Sequence, residues 1–228
     1  MMKHNILNVK YSILDAYQGI DNFLKDLEYD LDKESLFKEL GWISKEYILE
    51  TYNQNERVQE LFTEDDDAHI LNYLAKTTDH LSILEKLSKI TNISFSKISC
   101  RQYELNKLYW SIYWNPVCTE EIQKSLITDD SGIFVRDIIL DDRTSTSILE
   151  YITDTLPNMI SCLFIPRHQN VNLSILDKLS KSDRWATRRE VIRCSLCTDE
   201  IAESLKNDSY YPIQAALAEY YAKKRKQT

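Results

Sequence analysis

The sequence predicts an all-α protein: a right-handed α-solenoid of about six helical-pair repeats of roughly 26 residues, with an N-terminal helical cap. Two observations support this prediction. The 228 residues include only 3 Gly and 4 Pro, which favours helices joined by short polar connections over hairpin turns. A short apolar pattern also recurs along the chain at nearly constant spacing, as it does in internal repeats.

The recurring pattern is a pair of apolar residues four positions apart, a spacing that places both on one face of a helix. The first members of successive pairs lie 26, 27 and 26 residues apart in Ile122 with Leu126, Ile148 with Ile152, Ile175 with Leu179 and Ile201 with Leu205. Thr119 and Thr198 stand three residues before two of these isoleucines and are followed by acidic residues, which is typical of an N-cap. Each pair therefore predicts the first helix of a repeat.

A second apolar cluster follows each first isoleucine after sixteen and seventeen residues. These clusters are Ile138 with Ile139, Phe164 with Ile165, Val191 with Ile192 and Leu217 with Ala218. They predict a second helix in each repeat. Because such short helices are marginal alone, each is expected to bury its apolar face against neighbouring repeats.

The pattern changes toward the N-terminus. Residues 81–87 nearly duplicate residues 173–179, but Ile83 precedes Ile122 by 39 residues, which predicts an insertion within 90–105. The sequence thus predicts that the spacing is interrupted once.

The ends of the array are predicted to differ from its middle. Val58 with Phe62 precedes Ile83 by 25 residues, so the repeats are expected to occupy residues 56–228 as one continuous structural domain. Residues 1–55 contain longer amphipathic patterns and are predicted to form the N-terminal helical cap. The last helix, from 212 to about 224, is expected to close the other end.

Composition and charge narrow the function classes. The net charge is −8, with 16 Lys and Arg against 27 Asp and Glu in residues 1–150 and 12 against 9 in residues 151–228. An acidic surface repels a phosphate backbone, so we expect a basic protein as the partner, not nucleic acid. No stretch approaches the roughly eighteen apolar residues that span a bilayer, and the five cysteines lack disulfide spacing. We therefore expect a cytoplasmic protein with no membrane partner.

Residues 114–126 read Trp-Asn-Pro-Val-Cys-Thr-Glu-Glu-Ile-Gln-Lys-Ser-Leu, and Asp129-Asp130 and Val135-Arg136 follow them. This stretch resembles the leucine-rich repeat variant family and, more loosely, other short HEAT-like α-solenoids, because it looks like that family's Asn-Pro turn, short helix, Asp and Val-Arg positions. The resemblance covers roughly residues 105–220 and extends more weakly over residues 56–105. It departs from the family in having one Asn-Pro and in lacking Val-Arg in two repeats. The resemblance implies partner binding and no particular chemistry.

The second helices are expected to present a common ridge of residues four positions apart, including Ala215 with Glu219. Solenoids use such ridges for recognition, and Trp and Arg are frequent binding anchors. The predicted partner-binding residues of this ridge are Trp110, Trp114, Arg136, Leu140, Arg189 and Arg193. The alternative for the aromatic residues is packing in the core or between repeats.

Three other groups each have a structural and a functional interpretation. Arg136 and Arg189 each follow an aspartate, at Asp129 or Asp130 and at Asp183, so each pair is expected to hold a turn or to bind a partner. The acidic run Glu64, Asp65, Asp66 and Asp67 is either a solvated loop or a contact to a cationic partner. Cys194 and Cys197 form a Cys-x-x-Cys without further ligands, so we expect no metal and no cofactor.

The sequence therefore predicts a protein without enzymatic activity that binds another protein. The most concrete form is an acidic inhibitor that covers the basic surface of a toxin or nuclease, as bacterial immunity proteins do. One alternative is a HEAT-like DNA glycosylase that would use Trp110, Trp114 and the arginines of residues 184–193. Another is a regulatory assembly scaffold with several partners. The partner's identity and the oligomeric state do not follow from the sequence.

Overall fold

The computed structural model describes residues 56–63, 68–90, 101–128 and 132–226. Over these ranges the chain is helical and contains no strand, which confirms the predicted all-α class. The chain forms two compact units, Met1–Cys118 and Thr119–Thr228, and each is described by itself. The predicted cap at 1–55, the run Glu64 to Asp67 and most of the predicted insertion lie outside the described residues.

The first unit contains four described helices. They are α1 (Glu56–Leu61), α2 (Ala68–Thr77), α3 (Leu81–Ser88) and α4 (Arg101–Tyr113). Helix α1 packs on α3 and helix α2 packs on α4, while α3 contacts both α2 and α4. Alternate helices of this unit are therefore neighbours.

Asn115, the first residue of the Asn-Pro dipeptide, ties the end of α4 to the end of α2. Its buried amide group donates hydrogen bonds to the carbonyl oxygens of Ala75 and Thr78, both at 2.9 Å. Its side-chain oxygen accepts a hydrogen bond from the backbone N–H of Val117 at 2.9 Å. The Asn-Pro turn is thus a structural link between neighbouring helical pairs.

The second unit contains seven described α-helices and one 3-10 helix. They are α5 (Glu120–Ser125), α6 (Gly132–Leu140), α7 (Thr146–Thr155), the 3-10 helix (Ile160–Arg167), α8 (Leu173–Ser180), α9 (Trp185–Arg193), α10 (Asp199–Ser204) and α11 (Tyr211–Arg225). The first helices α5, α7, α8 and α10 contact one another in that order. The second elements α6, the 3-10 helix, α9 and α11 do the same. We call these two sets the first layer and the second layer.

One N-cap geometry recurs at all four first helices. A side-chain oxygen accepts a hydrogen bond from the N–H of the isoleucine three residues later in the pairs Thr119–Ile122, Ser145–Ile148, Asn172–Ile175 and Thr198–Ile201. The predicted caps Thr119 and Thr198 are therefore confirmed. All four isoleucines are buried, so the cap and the core contact repeat together.

The second layer differs from expectation in one helix type and one buried position. The predicted second helix after Ile148 is present as a 3-10 helix, and it contains Pro166, which has no N–H to donate to a regular α-helical ladder. On α11, Ala218 is exposed, whereas Ala216 and Leu217 are buried. The buried face of α11 is therefore shifted by one residue from the predicted cluster.

His168 links two turns of the second unit as Asn115 links two turns of the first. Its buried ring accepts a hydrogen bond at Nδ1 from the N–H of Asn170 at 3.0 Å, so the ring proton is placed on Nε2. Nε2 then donates to the carbonyl oxygen of Asp141, 3.0 Å away. A histidine thus makes in the second unit the same kind of link between turns that an asparagine makes in the first.

Candidate interaction surface

The second unit separates its charges by layer. The four described helices of the first layer contain eight Asp and Glu against two Lys. The four elements of the second layer contain three Asp and Glu against eight Lys and Arg. The overall negative charge of the chain therefore describes the first layer of this unit but not the second.

Four predicted ridge residues lie on the second layer. On α6, Leu140 is 54% exposed and Arg136 is also exposed. Arg136 donates hydrogen bonds to the adjacent Asp137, whereas Asp129 and Asp130 lie outside the described residues. Arg189 and Arg193 lie one turn apart on α9. All four thus lie on elements of the second layer, where Arg189 is half-buried and the other three are exposed, and their role in binding remains a prediction.

A buried carboxylate lies among the arginines of this layer. Glu190 is only 2% exposed. Its Oε2 accepts hydrogen bonds from Nε and Nη2 of Arg167, at 2.9 and 2.5 Å, and its Oε1 accepts from the same two nitrogens of Arg189, at 3.1 and 2.8 Å. Arg193 adds a third guanidinium 3.7 Å from Oε1, and its other terminal nitrogen lies 4.0 Å from Glu219. We call Arg167, Arg189, Glu190 and Arg193 the arginine cluster.

The arginine cluster keeps Glu190 ionised. Burial raises the pKa of Glu190, but the hydrogen bonds and positive charges of Arg167 and Arg189 outweigh burial, so the pKa lies below the ordinary value of a glutamate. One carboxylate cannot neutralise three guanidiniums. The cluster is therefore a region of net positive charge at neutral pH.

The chain matches no family model, no curated protein and no solved structure. The function of the surface is therefore inferred from its own residues, and the resemblance to the leucine-rich repeat variant family stays a prediction.

No helix in the described ranges is long and apolar enough to cross a membrane. Within those ranges, no three His, Cys, Asp or Glu residues group in a way that could hold a metal ion.

An adjacent ion pair shows which arginine holds the turn before α11. Arg188 donates from Nε to Asp208 at 2.7 Å and from Nη1 to the carbonyl oxygen of Ser182 at 2.6 Å. The expected pairing of Arg189 with Asp183 is wrong, since Asp183 instead accepts a hydrogen bond from Asn158. Sequence spacing identified the right kind of clamp but assigned it to the neighbouring arginine.

The Arg188 clamp also positions an aromatic pair. The rings of Trp185 and Tyr210 stack with centroids 6.5 Å apart and planes 16° from parallel. Arg188 lies over the Tyr210 ring at 5.6 Å, and Arg189 lies over the Trp185 ring at 5.4 Å. Both rings are partly exposed, so aromatic and cationic groups occur together at this end of the second layer. This aromatic pair was not predicted from the sequence.

Trp110 and Trp114 belong to the first unit. Their rings meet edge to face with centroids 5.8 Å apart, and Trp114 also meets the buried ring of Tyr113 at 4.9 Å. Both tryptophans are half-buried. The two tryptophans thus contact aromatic residues at the end of their own helix, and both their binding role and their packing between repeats remain predictions.

The Cys194–Cys197 pair borders a cleft of about 380 Å³ on the second unit. The cleft is lined by α9, the following turn and α11, including Arg193, Tyr220 and Lys224. Both cysteines are free thiols, and burial raises the pKa of Cys197 to about 11. The Cys197 thiol is therefore protonated at neutral pH and is a poor nucleophile or metal ligand.

Proposed function

We propose that this chain is a non-enzymatic protein-binding helical repeat protein of the short α-solenoid type. In its second unit, the acidic first layer binds a basic partner protein and thereby covers that partner's functional surface. The observation that supports this proposal is the separation of charge between the two layers. A basic protein would meet a surface with many carboxylates and few cations.

The carboxylates of the first layer are accessible. Glu121, Asp154, Asp177 and Glu200 are exposed, and they lie on four successive first helices. These carboxylates fit a partner surface with several spaced cations. A partner that itself binds nucleic acid is expected to have such a surface.

The lysines that pair with some of these carboxylates do not block the surface. Lys178 contacts Asp154 at 2.6 Å and Lys181 contacts Asp177 at 2.8 Å, with all four side chains exposed. Exposed pairs of this kind contribute only about 0–1 kcal/mol each, so a cationic partner can displace the lysines. The carboxylates of the acidic layer are thus available to form ion pairs with a basic partner.

The test compares two variants with the same change in net charge. The first neutralises the acidic layer through Glu121→Gln, Asp154→Asn and Glu200→Gln. The control adds three cations elsewhere, through Ser195→Lys, Asn207→Lys and Ser209→Lys, all at exposed positions. Tagged wild type and both variants are used to capture proteins from a lysate of the source organism at low and high salt, with quantitative mass spectrometry.

The expected result is one basic protein, recovered in near-stoichiometric amount at low salt, whose recovery falls with the neutralised variant but not with the control. Recovery that falls equally with both variants would show that net charge alone governs retention. Recovery of no basic protein, or of one insensitive to the neutralised layer, would contradict the proposal.

A further inference from the structure

The second layer of the second unit has a chemistry opposite to that of the first layer. We propose that its exposed side, across α6, the 3-10 helix and α9, binds a short acidic segment of a partner protein that also carries apolar side chains. This inference concerns a second surface and does not depend on the proposed function of the acidic layer.

The arginine cluster provides the anion-binding part of this surface. Arg167 is 63% exposed as a side chain although it bonds to a carboxylate that is almost completely buried. Arg167 and Arg189 both use Nε and Nη2 to hold Glu190. Among the described residues, their Nη1 groups make no hydrogen bond, and these groups stay available to an incoming carboxylate.

Glu190 makes the cluster ready for binding. A free arginine side chain loses rotamer freedom when it is fixed, and this loss opposes binding. Because Glu190 already fixes two guanidiniums in the unbound protein, less of this cost falls on the binding step. Glu190 is therefore a positioning residue: it is too buried to contact a partner itself.

Exposed apolar residues favour a protein over nucleic acid at this surface. Ile133 and Leu140 on α6 are 57% and 54% exposed, and Ile160 on the 3-10 helix is 66% exposed. A phosphate backbone offers no apolar partner for such side chains, whereas aliphatic and aromatic residues of a protein do.

The dimensions of the surface indicate the size of its occupant. Packed helices lie about 8–10 Å apart, so three adjacent elements span roughly 20 Å. An extended segment of about six residues covers that distance at ~3.3 Å per residue. A short linear segment with two or three carboxylates and neighbouring apolar residues therefore fits the spacing and the charge.

The experiment selects binders from a random displayed peptide library on the immobilised full chain. The proposal predicts enrichment of sequences that combine Asp or Glu with Leu, Ile, Phe or Trp. The best peptide is then synthesised with a fluorescent label and titrated by anisotropy. Labelled single-stranded and double-stranded DNA are titrated in the same way.

Two double variants test the two parts of the surface. Arg167→Gln with Arg189→Gln removes the cationic part, and Ile133→Ser with Leu140→Ser removes the apolar part while leaving the arginine cluster intact. Lys181→Gln with Lys206→Gln is the matched control, because both lysines are exposed in turns that follow first-layer helices. Circular dichroism checks that every variant is folded.

Each surface variant is expected to weaken binding of the enriched peptide by at least about tenfold, and the control by less than about twofold. The apolar variant keeps the proposal testable even if loss of the arginines unfolds the unit. Enrichment of basic peptides, no enrichment, or equal binding by the Ile133/Leu140 variant would overturn the proposal. DNA binding that the arginine variant abolishes, without peptide enrichment, would instead identify a phosphate-binding surface.

Discussion

The buried pair of Arg188 and Asp208 provides the sharpest test of the second unit's structure. We predict that Asp208→Ala destabilises the protein by about 3 kcal/mol and that Asp208→Asn destabilises it by about half as much. The alanine removes both the charge and the hydrogen-bond acceptor. The asparagine removes the charge and keeps one of the two acceptor oxygens, so it retains one of the two hydrogen bonds.

The predicted loss of stability follows from the hydrogen bonds that Asp208 accepts and from its burial. Its side chain accepts the Nε hydrogen bond of Arg188 at 2.7 Å and the backbone N–H of Tyr210 at 3.0 Å. The exposed fractions of the two side chains are only 12% for Arg188 and 9% for Asp208. Removing one partner of a buried pair typically costs about 3–5 kcal/mol, and the low end applies because Arg188 keeps its bond to Ser182 and some contact with water.

The assay is urea unfolding followed by far-ultraviolet circular dichroism at neutral pH, with Asp183→Ala as the matched control. Asp183 is an exposed aspartate with one side-chain hydrogen bond, so its loss is expected to cost less than about 1 kcal/mol. If Asp208→Ala were no more costly than Asp183→Ala, the clamp would not stabilise the unit and the reasoning would be refuted.

The same pair predicts a dependence on pH. Burial raises the pKa of Asp208, but the Arg188 hydrogen bond and the Tyr210 N–H outweigh burial, so the pKa in the folded protein lies below the ordinary value. Because the pKa is lower in the folded protein, ionised Asp208 stabilises the folded state fully above the unfolded-state pKa of about 3.9. This stabilisation is lost as the pH falls through the folded-state pKa. The stability difference between wild type and Asp208→Asn should therefore be complete above about pH 5 and shrink below about pH 4.

Three further predictions concern single side chains. Asn172→Ala removes the cap that accepts the Ile175 N–H at 2.9 Å and should cost about 1 kcal/mol in urea unfolding, whereas Asn172→Ser should cost less than half of that. Thr187→Val should leave stability unchanged or raise it by up to about 1 kcal/mol, since the buried Thr187 hydroxyl has no hydrogen-bond partner in the described ranges, and a loss above 1 kcal/mol would contradict this reasoning. Because burial raises the pKa of Cys197 to about 11, its alkylation at pH 8 should be roughly 100-fold slower in the folded protein than in urea, as measured by mass spectrometry of the modified peptide.

The sequence was sufficient to predict the parts of the fold that depend on local pattern. The helical class, the positions of the four first helices and the caps at Thr119 and Thr198 follow from apolar spacing and capping chemistry. Ser145 and Asn172 were not identified as caps, although both are residue types that cap helices. A search for any capping residue three positions before each first isoleucine would have found them.

The parts that the sequence did not predict depend on contacts between elements. The 3-10 helix contains Pro166, and the effect of a proline on a neighbouring turn depends on how the chain packs there. The arginine cluster requires Arg167 and Glu190 to meet from different elements, 23 residues apart. A single acidic residue among the arginines of α9 was visible in the sequence, but its burial was not.

Charge separation between the two layers is not needed to stabilise the fold. Exposed ion pairs contribute about 0–1 kcal/mol wherever they occur, and attraction across a layer is screened over a Debye length of about 8 Å at physiological salt. The buried isoleucines and the caps would be the same if the two charge types were mixed on both layers. The difference in charge between the layers therefore affects mainly the binding of other molecules. Salt is expected to weaken binding at either layer and to leave the free energy of unfolding nearly constant.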